Sequence, residues 1–334
     1  MALGKGTSVF LRLPVAIALS LAVASSPARA DKPFSQWSEA TPLDAVNTPA
    51  LEFANGISKD GLSFYFQRGD AAVQGEDIWV VHREHAHAPW GTPLALPPTV
   101  NSAANDRAAF VSSDGHWLFF ASDRPGGRGG FDLMVSWRHD PRNDFAWEEA
   151  QNLDDLGGAV NTPGFDSGPA LVHEGADDDQ GGHGEPGEDD GGEWRGHTAL
   201  YLVSNPAGVQ NNAVDIYVSL QKRDGSFGSP MKIEELSDPA FNEGRPYVRH
   251  DGKEIFFNSN RTGSMLNDIW SSTRRSTHEP WGTPQRVEGG VSTAFTENTP
   301  VLSWDGRTLF FSSNRSGANG QIYYATRREG REKD

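Results

Sequence analysis

The chain has 334 residues, no cysteine and a formal net charge of −16. Without cysteine, disulfides and thiol chemistry are excluded. The acidic balance argues against a nucleic-acid partner, which would draw on basic patches, and suits cations or cationic surfaces better.

In chain order, residues 1–30 read as a secretory signal peptide. Lys5 and Arg12 lead, Leu13 to Val23 is a short apolar core, and Ala28-Arg29-Ala30 is a small-residue cleavage site. The apolar core is too short to span a membrane, and no later stretch approaches spanning length. Without Lys5, Arg12 and Arg29, 26 basic residues face 45 acidic ones, a net charge of −19. The expected location is periplasmic or extracellular, and the expected state is a monomer.

Residues 31–334 read as one domain built from five similar units. Each carries an acidic residue eight positions before a second acid that is followed by glycine. The five leading acids are Glu52, Asp106, Asp166, Glu243 and Glu297, and the matching turns are Asp60-Gly61, Asp114-Gly115, Glu174-Gly175, Asp251-Gly252 and Asp305-Gly306. Self-similarity at a period of tens of residues signals a repeat architecture.

Three strand-like segments follow in each unit. The first runs from the leading acid to the turn and becomes apolar, as in Phe110-Val111 and Val301-Leu302. The second is an aromatic run, as in Phe64-Tyr65-Phe66, Leu118-Phe119-Phe120 and Ile255-Phe256-Phe257. The third is typified by Asp132-Leu133-Met134-Val135 and Asp268-Ile269-Trp270. Short apolar runs bounded by turn residues read as strands buried on both faces, and Asp-Gly pairs read as hairpin turns. A more polar fourth segment precedes each unit, as in Trp90-Gly91-Thr92-Pro93 and Trp281-Gly282-Thr283-Pro284. Proline and polarity suit an outer edge strand.

The order of segments predicts how the ring closes. The mature chain opens with a fourth-type segment near Trp37 and ends with a third-type one at Tyr323. Pairing the two completes an all-β, five-bladed β-propeller in which the N-terminal strand closes the last blade. One unit departs from the pattern. Residues 174–196 form an insertion rich in Asp, Glu and Gly, read as a disordered hairpin loop in blade three. Its clustered carboxylates leave Ca²⁺ as the one possible cofactor.

Ser122-Asp123-Arg124-Pro125-Gly126-Gly127, Ser259-Asn260-Arg261 and Ser313-Asn314-Arg315 resemble the hallmark of WD40-like, TolB-type β-propeller repeats. So do the linkers Val46-Asn47-Thr48, Val100-Asn101-Ser102 and Val160-Asn161-Thr162. The resemblance covers residues 34–328. It implies a secreted or periplasmic scaffold that binds a protein partner. Blade three has Pro206 where others have the arginine, and blade five has Gln321 where others have the aspartate. Pairing of that arginine with that aspartate within a blade would therefore place the pairs at solvent-accessible corners.

Ring geometry predicts that Glu52, Asp106, Asp166, Glu243 and Glu297 face the mouth of a central channel, with Arg107 and Arg245 beside them to offset the charge. These seven are the candidate ligand-binding residues, for a protein or an envelope glycan. Capping of backbone N–H groups is the competing, structural role. Five-bladed propellers also include glycosidases, which work with two carboxyl groups flanking a sugar bond. No asymmetric set outside the repeat points to catalysis, so a glycan-active hydrolase using two inner-strand acids is the alternative. His85-Ala86-His87 reads as a solvated loop, and Gly126 to Gly130 as a turn rather than a phosphate cradle, because no helix follows it.

Overall fold

The computed structural model describes residues 34–69, 75–174, 197–206, 214–317 and 320–330. Residues 1–30, read above as a signal peptide, and the acidic insertion beyond Glu174 lie outside these residues. Five antiparallel four-stranded sheets form a ring. The innermost strands are β2 (Leu51–Ile57), β6 (Asp106–Val111), β10 (Phe165–Glu174), β14 (Glu243–Val248) and β18 (Glu297–Leu302). Next come β3 (Ser63–Gly69), β7 (Trp117–Ser122), β11 (His197–Asn205), β15 (Glu254–Ser259) and β19 (Thr308–Ser313). The third strands are β4 (Glu76–His82), β8 (Asp132–Trp137), β12 (Asp215–Leu220), β16 (Asp268–Thr273) and β20 (Gln321–Thr326). The outer edges are β5 (Leu94–Ala95), β9 (Gln151–Asn152), β13 (Met231–Lys232), β17 (Gln285–Arg286) and β1 (Thr41–Pro42).

Closure is as the segment order predicts. β1 pairs with β20, Thr41 opposite Tyr324 and Pro42 opposite Tyr323. The linker asparagine reinforces it: Ile322 N donates to Asn47 Oδ1 at 2.8 Å, and Asn47 Nδ2 donates to Ile322 O at 2.9 Å. Asn101 holds Ile78 in the same way, and Asn161 holds Leu133. In each Val-Asn linker the side-chain amide thus stands in for a strand's backbone, while Val46, Val100 and Val160 are buried beside it. The motif is a joint between blades.

The aromatic second strands fill the spaces between sheets. Phe64, Phe66, Phe120, Phe256, Phe257 and Phe311 are wholly buried. Neighbouring residues on a strand point to opposite faces, so adjacent phenylalanines can both be buried only where another sheet lies on each side. The hairpins turn at Gly61, Gly115, Gly252 and Gly306, whose φ values of 71°, 76°, 70° and 69° are left-handed and favour glycine.

A recurrent arginine clamps those turns. Arg83, Arg138, Arg274 and Arg327 each donate Nε to the hairpin glycine carbonyl at 2.7 Å. Their guanidinium groups lie 4.4, 4.0, 4.1 and 4.6 Å from the ring centroids of Trp90, Trp147, Trp281 and Trp37. These fourth-segment tryptophans therefore serve as packing for a clamping cation, buried at Arg138 and Arg327 and half-buried at Arg83 and Arg274.

Glu174 belongs to this framework and not to the insertion. It ends β10, is buried, and accepts Arg274 Nη2 at 2.6 Å and the Tyr201 hydroxyl at 2.5 Å. Asp144 plays the same part between blades one and two, accepting from Arg138, Tyr65, Ser63 and His82. Burial alone would raise the Asp144 carboxyl; the His82 hydrogen bond, the Arg138 charge and the Tyr65 hydroxyl outweigh it and hold the group below its ordinary value. A group lowered in the fold stabilises above its unfolded value and loses that contribution as pH falls through the folded one. Asp144→Asn should therefore cost about 3 kcal/mol at pH 7, because it strips the charge partner from buried Arg138. The deficit should shrink below about pH 4. Urea unfolding of both proteins at pH 7 and pH 3 checks this, and an equal deficit at both would refute it.

Candidate functional site

The five repeated acids are each wholly buried at 0 % exposure, turned into their blades and away from the channel. Each is held by a local set of donors. Glu297 accepts Thr293 N at 2.8 Å, Thr293 Oγ1 at 2.7 Å, Ser313 Oγ at 2.8 Å and Arg315 Nη2 at 3.1 Å. Asp106 takes Ser102 N at 2.6 Å, Ser102 Oγ at 2.8 Å and Arg124 Nη2 at 2.7 Å. Glu243 takes Asp238 N, Ser259 Oγ and Arg261, and Glu52 takes Thr48 and Arg68. Asp166 takes Thr162 and Ser204.

The arginine of the Ser-x-Arg motif thus pairs with the inner-strand acid and not with the third-strand aspartate. Asp215 and Asp268 instead meet Lys232 and Arg286 from the outer strands. In blade three Pro206 removes the arginine, and Ser204 Oγ at 2.6 Å is what Asp166 retains at that position. Burial raises the carboxyls of Glu52, Asp166 and Glu243, against the opposing hydrogen bonds.

Strand alternation explains the placement. With the acid facing into its blade, the next residue faces the axis: Phe53, Arg107, Ser167, Gly244 and Asn298. A register shift follows in every inner strand. In four of them the residue two beyond the acid takes a left-handed φ: Ala108 59°, Gly168 62°, Arg245 51° and Thr299 53°. A bulge re-aims side chains, and here it directs Arg245 and Thr299 to the axis in addition to their neighbours.

These side chains line an axial cavity of about 320 Å³ to which all five blades contribute. Phe53 and Phe165 provide apolar surface. Gln67, Asn258 and Asn298 provide amides, and Glu76, Arg107 and Arg245 the charges. A depression of about 670 Å³ between the fifth and first blades shares Phe53 and Asn298 with the cavity and has exposed Phe295 on its wall. Together they make an elongated, partly aromatic opening onto the axis.

Three polar atoms of the cavity wall are buried with no hydrogen-bond partner among the described residues: Glu76 Oε2, Arg107 Nε and Ser167 Oγ. Such orphans are uncommon in native interiors and mark positions where a water or ligand can bind. Arg107 Nη1 is 3.5 Å from Glu76 Oε2, and the Arg107 guanidinium lies 3.6 Å from the Phe131 ring centroid. Arg245 donates Nη2 to Gln67 Oε1 at 3.0 Å. Burial, and then the neighbouring Arg107 charge, pull the Arg245 guanidinium down to about 9, against the pull of Glu76.

Of the seven residues expected at the channel, Arg107 and Arg245 reach the cavity, and Glu52, Asp106, Asp166, Glu243 and Glu297 do not. Sequence reasoning missed Gln67, Glu76, Ser167, Asn258 and Asn298. A signal existed for two of them: Gln67 and Asn258 interrupt the runs Phe64-Tyr65-Phe66 and Phe256-Phe257, where a strand buried on both faces has little use for an amide. Among the described residues, no group of three or more His, Asp or Glu side chains is placed to hold a metal ion. Nor is any helix among them long and apolar enough to cross a membrane. His85 and His87 are exposed in their loop.

No protein-family model matches the chain, and no curated protein does either. Among solved structures, it is similar to the GH43_1 enzyme from Xanthomonas citri complexed with xylose. That match has a TM-score of 0.52 at 18% identity, over 86% of this chain and 90% of the other. It is likewise similar to the endo-arabinase from Bacteroides thetaiotaomicron, with a TM-score of 0.52 at 13% identity, over 90% and 99% of the two chains. A protein described as TolB from Agrobacterium tumefaciens also matches, at 15% identity over 84% and 78%; its TM-score of 0.43 carries no argument. At these identities the likeness is one of fold: the chain is a five-bladed β-propeller of the architecture seen in those glycoside hydrolases.

Proposed function

We propose that this chain is a periplasmic or secreted glycan-binding propeller that takes its ligand in the axial cavity. The observation carrying this reading is the convergence of five blades on one concave site that combines amides, guanidinium groups and two phenyl rings. A sugar presents hydroxyls at its edges and C–H groups on its faces, so it needs both kinds of wall. The continuous depression toward Phe295 suits an oligosaccharide better than a single ring. Neighbours of the same fold, one of them named as a xylose complex, lend the glycan reading further support.

Hydrolysis is the second reading, favoured by those same neighbours. It requires two carboxyl groups flanking the scissile bond. Among the described residues Glu76 is the one carboxylate lining the cavity, so binding without turnover is the reading we adopt. Thermal melting against a panel of neutral and acidic oligosaccharides tests it, with product analysis of the same mixtures. A ligand at a hundred times its Kd should stabilise the protein by about 2.7 kcal/mol. Asn298→Ala should weaken binding about tenfold, the loss of one hydrogen bond to a polar ligand. Silence across the panel would count against glycan binding, and release of shorter sugars would replace binding with hydrolysis.

A further inference from the structure

The charges of the cavity do not balance. Two guanidinium groups, Arg107 and Arg245, share it with one carboxylate, Glu76, in a chain whose overall charge is strongly negative. Glu76 approaches Arg107 at 3.5 Å, a distance longer than a hydrogen bond. Among the described residues Arg245 has no ion pair, and its side chain spends one of five N–H donors on the neutral Gln67 amide. Arg245 also occupies a left-handed backbone conformation, φ 51°, at the bulge that delivers it to the axis. Strained positions of this kind persist where the surroundings hold them and cluster at ligand clamps. An unpaired cation held in a half-dry cavity is costly until an anion arrives. The orphaned Arg107 Nε and Ser167 Oγ offer two further donors on the same wall.

We infer that the glycan carries a carboxylate, as in a uronic acid, and that this group is received by Arg245 with Arg107 beside it. The inference rests on the glycan-binding reading and adds the ligand's chemical class. Arginine suits this task because its planar fork matches a carboxylate with parallel hydrogen bonds. The phenyl rings of Phe53 and Phe165 then face the sugar, while the carboxylate offsets the excess positive charge.

Calorimetric titration of the intact protein with trigalacturonate and with neutral galactotriose provides the test. Trigalacturonate should bind at least tenfold more tightly, and Arg245→Met should bring the ratio of the two affinities close to one. The unliganded Arg245→Met protein should melt no lower than the parent, because methionine removes an uncompensated charge and keeps the bulk. The comparison of the two sugars on the parent protein stands even if the variant fails to fold. Equal affinities, or a preference for galactotriose, would overturn the acidic-ligand inference and leave glycan binding standing. If neither sugar binds, the glycan reading fails and the inference fails with it.

Discussion

Arg327→Ala should lower the stability of the propeller by about 3–5 kcal/mol, the cost of breaking a buried ion pair from one side. Arg327 donates Nη1 and Nη2 to the two Glu254 oxygens at 2.7 and 2.6 Å and Nε to Gly306 O at 2.7 Å. Its guanidinium lies 3.7 Å from the Phe34 ring centroid and 4.6 Å from that of Trp37. One side chain thus joins the fourth blade, the last hairpin and the N-terminal segment at the closure of the ring. Removing it leaves Glu254 buried with Arg249 Nη1 at 3.0 Å and strips a cation from two aromatic rings. Arg327→Lys keeps the charge but not the fork, and should recover less than half of the loss. Urea midpoints measure both variants; a loss below about 1 kcal/mol for the alanine would show that the closure does not depend on this contact.

Glu297→Ala should cost a similar amount, about 3–5 kcal/mol, because it leaves the Arg315 guanidinium and the Thr293 and Ser313 hydroxyls facing a void. Glu297→Gln should cost less, since the amide oxygen still accepts, but should not restore the parent. The contrast with blade three is informative. Among the described residues Asp166 has no arginine partner, and burial raises its carboxyl, so the charge that an amide removes is less well compensated there. Asp166→Asn should therefore cost clearly less than Glu297→Gln. The pair distinguishes a structural stitch from a ligand contact. If Glu297→Gln leaves the urea midpoint unchanged and abolishes glycan binding instead, the acids act on ligand and the stitch is the wrong description.

Much of the ring was legible because its cues are local and repeated. The turn glycines require positive φ wherever they occur, aromatic runs report burial on both faces, and an unmatched segment at each end can be satisfied only by closure. The Val-Asn linkers were legible as a pattern, but not as a mechanism, because Asn47 bonds to Ile322 across 275 positions of sequence. The partner of the motif arginine was hidden for the same reason, and pairing with the third-strand aspartate was only a conditional reading. Arg124 and Asp132 are near in sequence, whereas Arg124 and Asp106 meet because β6 and β7 lie side by side.

By itself the sequence determined the number of blades, their order, their hairpins and the strand that closes them, since each follows from residue types at short spacing. Which face of an inner strand looks toward the axis was decided only by tertiary structure. The acids turn inward because Arg68, Arg124, Arg261 and Arg315 await them within the blade. The bulges then bring Arg245 and Thr299 to the channel through backbone conformations that neither residue type favours. The cavity arises where five such strands converge, and its composition is set by residues distant in sequence that only the closed ring brings together.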